Sequence, residues 1–139
     1  MDAASDAEAA HKALLEEVRG NFSDFLAARQ EGKPFFYWWG PKNTHREWAK
    51  GSGKAIWGLD PDKLKGKMPS FLPDVPQIRE DFCDYLGECL AFDEGLGLLI
   101  SMLEEAGELE NTIVGVINTE ETKAKGSRLD VLKNVNSDL

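Results

Sequence analysis

Positive charge is scarce in this chain, and so are the side chains that bind metals. Sixteen lysines and arginines stand against 25 aspartates and glutamates, a net charge of −9. Non-specific nucleic-acid binding draws on clustered cations that displace counterions. Here the lysines between Gly53 and Lys67 are interleaved with glycine, aspartate and apolar residues, so no nucleic-acid partner is expected. Two cysteines (Cys83, Cys89) and two histidines (His11, His45) do not make a closed zinc site. The cysteines are six residues apart in a helical pattern, about 1.7 turns, so they point to roughly opposite sides and should not pair. No apolar run approaches the roughly 20 residues that cross a bilayer, so no membrane partner is expected. The opening MDAASDAEAAHK is acidic and lacks the basic-then-apolar order of a signal peptide, which leaves localisation undetermined.

What is present is enough for a core. The 139 residues are 42% hydrophobic and 9% aromatic, the composition of one globular domain. Such a chain removes about two thirds of its unfolded surface from water. From Ala9 to Gln30, Leu14, Leu15, Val18, Phe22, Phe25 and Leu26 recur at helical spacing, with Gly32 placed to end the helix. Residues 1–8 read as frayed, and Gly20, about 1 kcal/mol worse than alanine in a helix, marks a candidate break. Phe35 to Trp39 (strand 34–39 with its leading proline) is short, aromatic and without alternation, which predicts a strand covered on both faces in a parallel sheet. Gly40-Pro41 stops it. Thr44 to Pro73 reads as a long irregular excursion with a short turn of helix, and loops of that length are often functional. A strong helix is predicted over 76–106, with Pro76 in its first turn, Asp74 as its cap and Gly107 beyond its end. Residues 111–117 form a β-branched strand in this reading. The expected fold class is therefore α/β, a layered domain with a mainly parallel sheet and flanking helices. Residues 1–117 make the domain, and 118–139 a divergent polar tail with either a short helix around Leu129 to Val135 or no element at all.

The chemistry in these residues is sparse. His45 lies six residues beyond the aromatic strand, in the zone where ligands gather in open α/β sheets. An imidazole there can donate a proton or bind an anion near neutral pH, and Arg46 beside it can hold an oxyanion. The plainer alternative is a loop histidine bonded to backbone. GSGK, Gly51 to Lys54, lacks the first glycine and the preceding strand of a phosphate loop. Asp60, Asp62 and Asp74 lack calcium-loop spacing and read as turn and cap residues. Asp93, on the apolar side of the long helix, is expected at the edge of its stripe. Trp38 and Trp39 are expected in the core.

Several motifs together resemble the middle of a sulfatase. An aromatic strand ends in Pro-x-x-x-His-Arg (Pro41 to Arg46), FLPDVP opens a helix, YLGE and AFDEGLG run along it, and GELENTIV leads into a strand. From Lys33 to Val114 the chain is similar to the heparan N-sulfatase (sulfamidase-like) branch of the alkaline-phosphatase-like superfamily. That resemblance implies hydrolysis of a sulfate ester or N-sulfate on a small molecule or glycan. It implies a formylglycine nucleophile made from Cys/Ser-x-Pro-x-Arg, a calcium ion held by acidic side chains, and an exported, periplasmic or lysosomal parent. His45 matches the histidine that contacts the sulfate and assists the leaving group. Neither Cys83 nor Cys89 is followed by x-Pro-x-Arg, and no residue here carries over as a calcium ligand. The expectation is thus a partial sulfatase without turnover of its own, self-associating through exposed sheet edges. The alternatives are a non-catalytic binding or scaffold protein and a phosphoesterase of the same superfamily.

Overall fold

Apolar residues at three- and four-residue steps wind the described chain into two long antagonistic surfaces that close on each other. The computed structural model describes residues 3–30, 32–43, 45–46 and 48–117. Helix α1 runs Ala3–Ala28, α2 Ser52–Trp57 and α3 Pro76–Glu105, with a 3-10 turn at Pro61–Leu64 and another at Leu109–Asn111. Helix α1 begins at Ala3 rather than near Ala9, and it passes through Gly20 without a break. Val18 and Phe22, one turn apart on either side of that glycine, are both buried, and their burial outweighs its weak propensity.

Helix α3 has the limits its sequence predicts. Pro76 stands at its first position, where a missing amide hydrogen costs nothing, and Gly107 just beyond its end adopts a φ of 70°. Its cap is not Asp74 but the extended Val75, and no side chain caps it. Two of its glycines make room for tryptophans. A β-carbon at Gly95 would stand 2.7 Å from the Trp39 ring, and one at Gly87 would stand 3.1 Å from that of Trp57.

The core forms where α1 meets the second half of α3, from Val18, Phe22, Leu99, Met102 and Leu103. The aromatic segment 35–39 lies over it with alternate side chains inward. Tyr37 meets Phe22 at 4.8 Å between ring centres, Phe35 meets Phe25 at 5.7 Å, and Trp39 stacks on Phe92 at 5.2 Å. Arg29 ties the end of α1 to Glu108 at 2.6 Å. Near the other end His11 Nε2 stands 2.8 Å from Glu94 Oε2, out of line for a hydrogen bond, so the contact is an ion pair only when the ring is protonated.

The α/β expectation fails. Among the described residues there is no strand and no sheet, and the described part is helical. Residues 34–39 and 112–117 have no regular secondary structure. A strand exists only when a neighbour takes its N–H and C=O groups, and here neither segment has one that builds a ladder. Nor is 35–39 covered on both faces, since Phe36 and Trp38 are 81% and 70% exposed. The predicted core position of Trp38 is corrected by the same observation, whereas Trp39 is packed as expected. The self-association expected through sheet edges has no sheet to rest on in this part of the chain. Asp93 is exposed at the stripe edge, and Cys83 and Cys89 are both free. The tail 118–139 lies outside the described residues.

Candidate functional site

The loop that follows the aromatic segment carries both residues singled out from sequence. It is held by carboxylates of α3. Asp81, Asp84 and Glu88 sit at i, i+3 and i+7, one side of the helix. Each takes a different part of the loop. Glu88 Oε2 accepts from Asn43 Nδ2 at 2.9 Å. Asp81 accepts both arms of the Arg46 guanidinium, at 3.1 and 2.9 Å. Asp84 is 2% exposed, and its two oxygens accept the backbone amides of Gly51 and Gly53, each at 2.9 Å. The last contact seats the start of α2 against α3.

His45 stands between the first two of these ties, exposed to solvent. Its backbone amide donates to the Lys42 carbonyl at 3.0 Å, which closes a turn. Its Nδ1 lies 3.1 Å from the carbonyl oxygen of Arg46. A carbonyl can only accept, so Nδ1 carries the hydrogen in this bond. In the neutral ring the lone pair then falls on Nε2. An anion approaching Nε2 is held only when that nitrogen is protonated as well.

Arg46 is beside His45 but already engaged. Besides the fork to Asp81, its guanidinium lies 5.0 Å from the centre of the Trp48 ring, and Trp48 meets Tyr85 of α3 at 6.0 Å. The pair with Asp81 is exposed, so an anion could compete for it at little cost. Lys42, His45 and Arg46 share an open groove of about 580 Å³ with Glu17 and Glu88. The arrangement offers cations to a small anion, with acids close enough to limit its charge.

A second set of contacts holds the loop farther along. Asp74 accepts the Gly66 amide at 2.7 Å and the Arg79 guanidinium at 2.6 Å, and Arg79 itself is buried. These bonds place the Asp74 carboxyl below the usual 3.8, chiefly through the Gly66 amide and then Arg79. Asp60 accepts the Asp62 amide at 3.0 Å and begins the 3-10 turn, the capping use expected of it. The Gly51 to Lys54 stretch is no phosphate cradle: it opens α2, its two glycine amides donate to Asp84, and the Ser52 amide donates to the Ala49 carbonyl.

The calcium ion implied by the sulfatase resemblance does not fit these residues. The α3 acids that hold the His45 loop are engaged by Arg46, two amides and Asn43, and among the described residues no group of three His, Cys, Asp or Glu side chains is placed to hold a metal. Asp81, Asp84 and Glu88 were the residues that sequence reasoning missed. Their spacing was visible, but acids at that spacing ordinarily face water, and only the folded loop reveals their partners.

Comparisons with family models, with curated proteins and with solved structures found no match to this chain.

Proposed function

We propose that residues 33–114 are a segment of a sulfatase-type hydrolase in which His45 contacts the sulfate group, and that this chain by itself binds the anion without turning it over. The supporting observation is the His45 ring itself. It is exposed at the end of the aromatic segment, in a loop pinned on both sides by α3 carboxylates, with Nδ1 committed to the Arg46 carbonyl and Nε2 left as the nitrogen for a ligand. Lys42 and Arg46 add positive charge beside it. Lack of turnover follows from the sequence, which holds no Cys/Ser-x-Pro-x-Arg from which the nucleophile is made.

Imidazole resonances of the full chain, followed by NMR while sodium sulfate replaces sodium chloride at fixed ionic strength, test the reading. The His45 signals should shift saturably as sulfate is added, because the anion contacts that ring. His11 should not respond. No sulfate-dependent shift at His45 would remove the anion contact. Sustained aryl-sulfate hydrolysis that disappears in His45→Ala would overturn the inactivity. A stronger response to inorganic phosphate would move the reading to the phosphoesterases of the same superfamily.

A further inference from the structure

The three α3 carboxylates do not hold the His45 loop in the same way. Glu88 takes the Asn43 side chain before the histidine, and buried Asp84 takes two backbone amides after it. Asp81 takes neither backbone nor a neutral group. Its two oxygens accept the two arms of the Arg46 guanidinium. The side chains of that pair are 71% and 40% exposed, so water competes for every bond in it. The loop therefore owes little of its hold to Asp81. What Asp81 does is occupy the one guanidinium beside His45.

Arg46 has a second support that does not depend on Asp81. Its guanidinium lies 5.0 Å from the centre of the Trp48 ring, and Trp48 lines the same groove as Lys42 and His45. A planar cation keeps its contact with a ring face while its N–H fork turns in the plane above it. His45 is the preceding residue, about 3.8 Å away at Cα. Its ring is fastened to the Arg46 carbonyl at 3.1 Å. Imidazole and guanidinium thus rise from one short piece of backbone, and both can reach one small anion.

We propose that Asp81 is a built-in competitor for that anion: it holds the Arg46 guanidinium, and sulfate must displace it before Arg46 joins His45. Asp81 is then a positioning residue that sets the affinity of the groove through Arg46. The inference rests on the sulfate reading of His45 and adds what limits it. The size of the effect follows from the exposure of the pair. An exposed ion pair is worth up to about 1 kcal/mol, which converts to about fivefold in affinity. The direction is the informative part. Loss of a residue that merely props the loop would weaken anion binding, whereas loss of a competitor strengthens it.

The test is the affinity for sulfate, read from the His45 imidazole signals of the full chain at fixed ionic strength. Asp81→Ala should tighten binding roughly threefold to fivefold. Asp81→Asn, which keeps one neutral acceptor, should give a smaller gain. In an Arg46→Gln background the same Asp81→Ala change should have little effect, because the group it releases is gone. Glu80→Ala removes an equal charge from the neighbouring exposed position and should leave the affinity as it is. Equal or weaker binding in both Asp81 variants would overturn the inference. So would a gain that persists without Arg46, or one that Glu80→Ala reproduces, since either would make the effect one of net charge. A response in the parent with no gain at Asp81 sinks this inference alone, and the absence of a response in every variant sinks the sulfate reading with it. If Asp81→Ala unfolds, Asp81→Asn decides in the two backgrounds.

Discussion

Gly53 of α2 lies against the backbone carbonyl of Cys83 in α3, with no room between them for a side chain. A β-carbon at Gly53 would also stand 2.9 Å from the Asp84 amide nitrogen. Both neighbours are backbone, so neither can rotate away. Alanine inside a helix ordinarily gains about 1 kcal/mol over glycine. Here the overlap decides the sign, and Gly53→Ala should cost about 1–3 kcal/mol in urea unfolding. Gly20 is the counter-case. Nothing lies within 4 Å of a β-carbon there, and α1 runs straight through it. Gly20→Ala should raise stability by about 0.5–1 kcal/mol. Equal effects at the two positions would mean that α2 does not sit on α3 as described.

The Asp84 carboxylate is the other half of that contact. It is buried and answers two amides that have no other partner in the helix start. Asp84→Ala would strand both, and denaturation should show a loss of about 2 kcal/mol or more. Asp84→Asn keeps one acceptor oxygen and should fall between. Asp81→Ala, which breaks the exposed fork to Arg46, should cost less than about 1 kcal/mol. The two aspartates are three residues apart on one helix, so the contrast isolates burial as the cause.

These residues also show what could be read in advance. The limits of α3 were legible because Pro76, Gly107 and an apolar stripe between them are local signals that agree. Most of α1 was legible for the same reason. The strands were not. PFFYWW has strand-like composition, yet an extended backbone becomes a strand only through a neighbour far along the chain, and no composition supplies one. Segment 34–39 instead buries Phe35, Tyr37 and Trp39 on the helices and leaves Phe36 and Trp38 outside. A short turn of helix was expected within 44–73, but the place of α2 was hidden because six residues carry no period and its seat depends on Asp84, over thirty positions away. His45 could be singled out from its distance to the aromatic run. The carboxylates that hold its loop could not, because their partners are contributed by the fold.

Acid should loosen the 66–79 region before the helices. The Asp74 carboxyl is held below 3.8 by the Gly66 amide and by Arg79. A depressed carboxylate adds stability above its unfolded value, and that stability is lost as pH falls through the lower folded value. The window therefore lies at and below about 3.8. Melting temperatures of the parent and of Asp74→Asn, measured from about pH 7 downward, should differ most near neutrality and converge below that window. A gap that stays constant down to low pH would mean that the Asp74 charge contributes nothing.

Base should act through Cys83. Its thiol is 2% exposed, and burial pushes its pKa above the usual 9.0, with the Asp84 and Asp60 charges adding to the effect. The folded chain then keeps a proton that the unfolded chain releases. That contribution is complete below about 9 and is lost as pH rises through the higher folded value. Lysines and tyrosines titrate in the same range, so the informative quantity is a difference. Cys83→Ala should lower the melting temperature at neutral pH, where it leaves a small void under α2. Its deficit against the parent should then shrink as pH climbs, because only the parent has the thiol proton to lose. A deficit that holds steady or widens across that range would show that Cys83 ionises as freely in the fold as in the open chain.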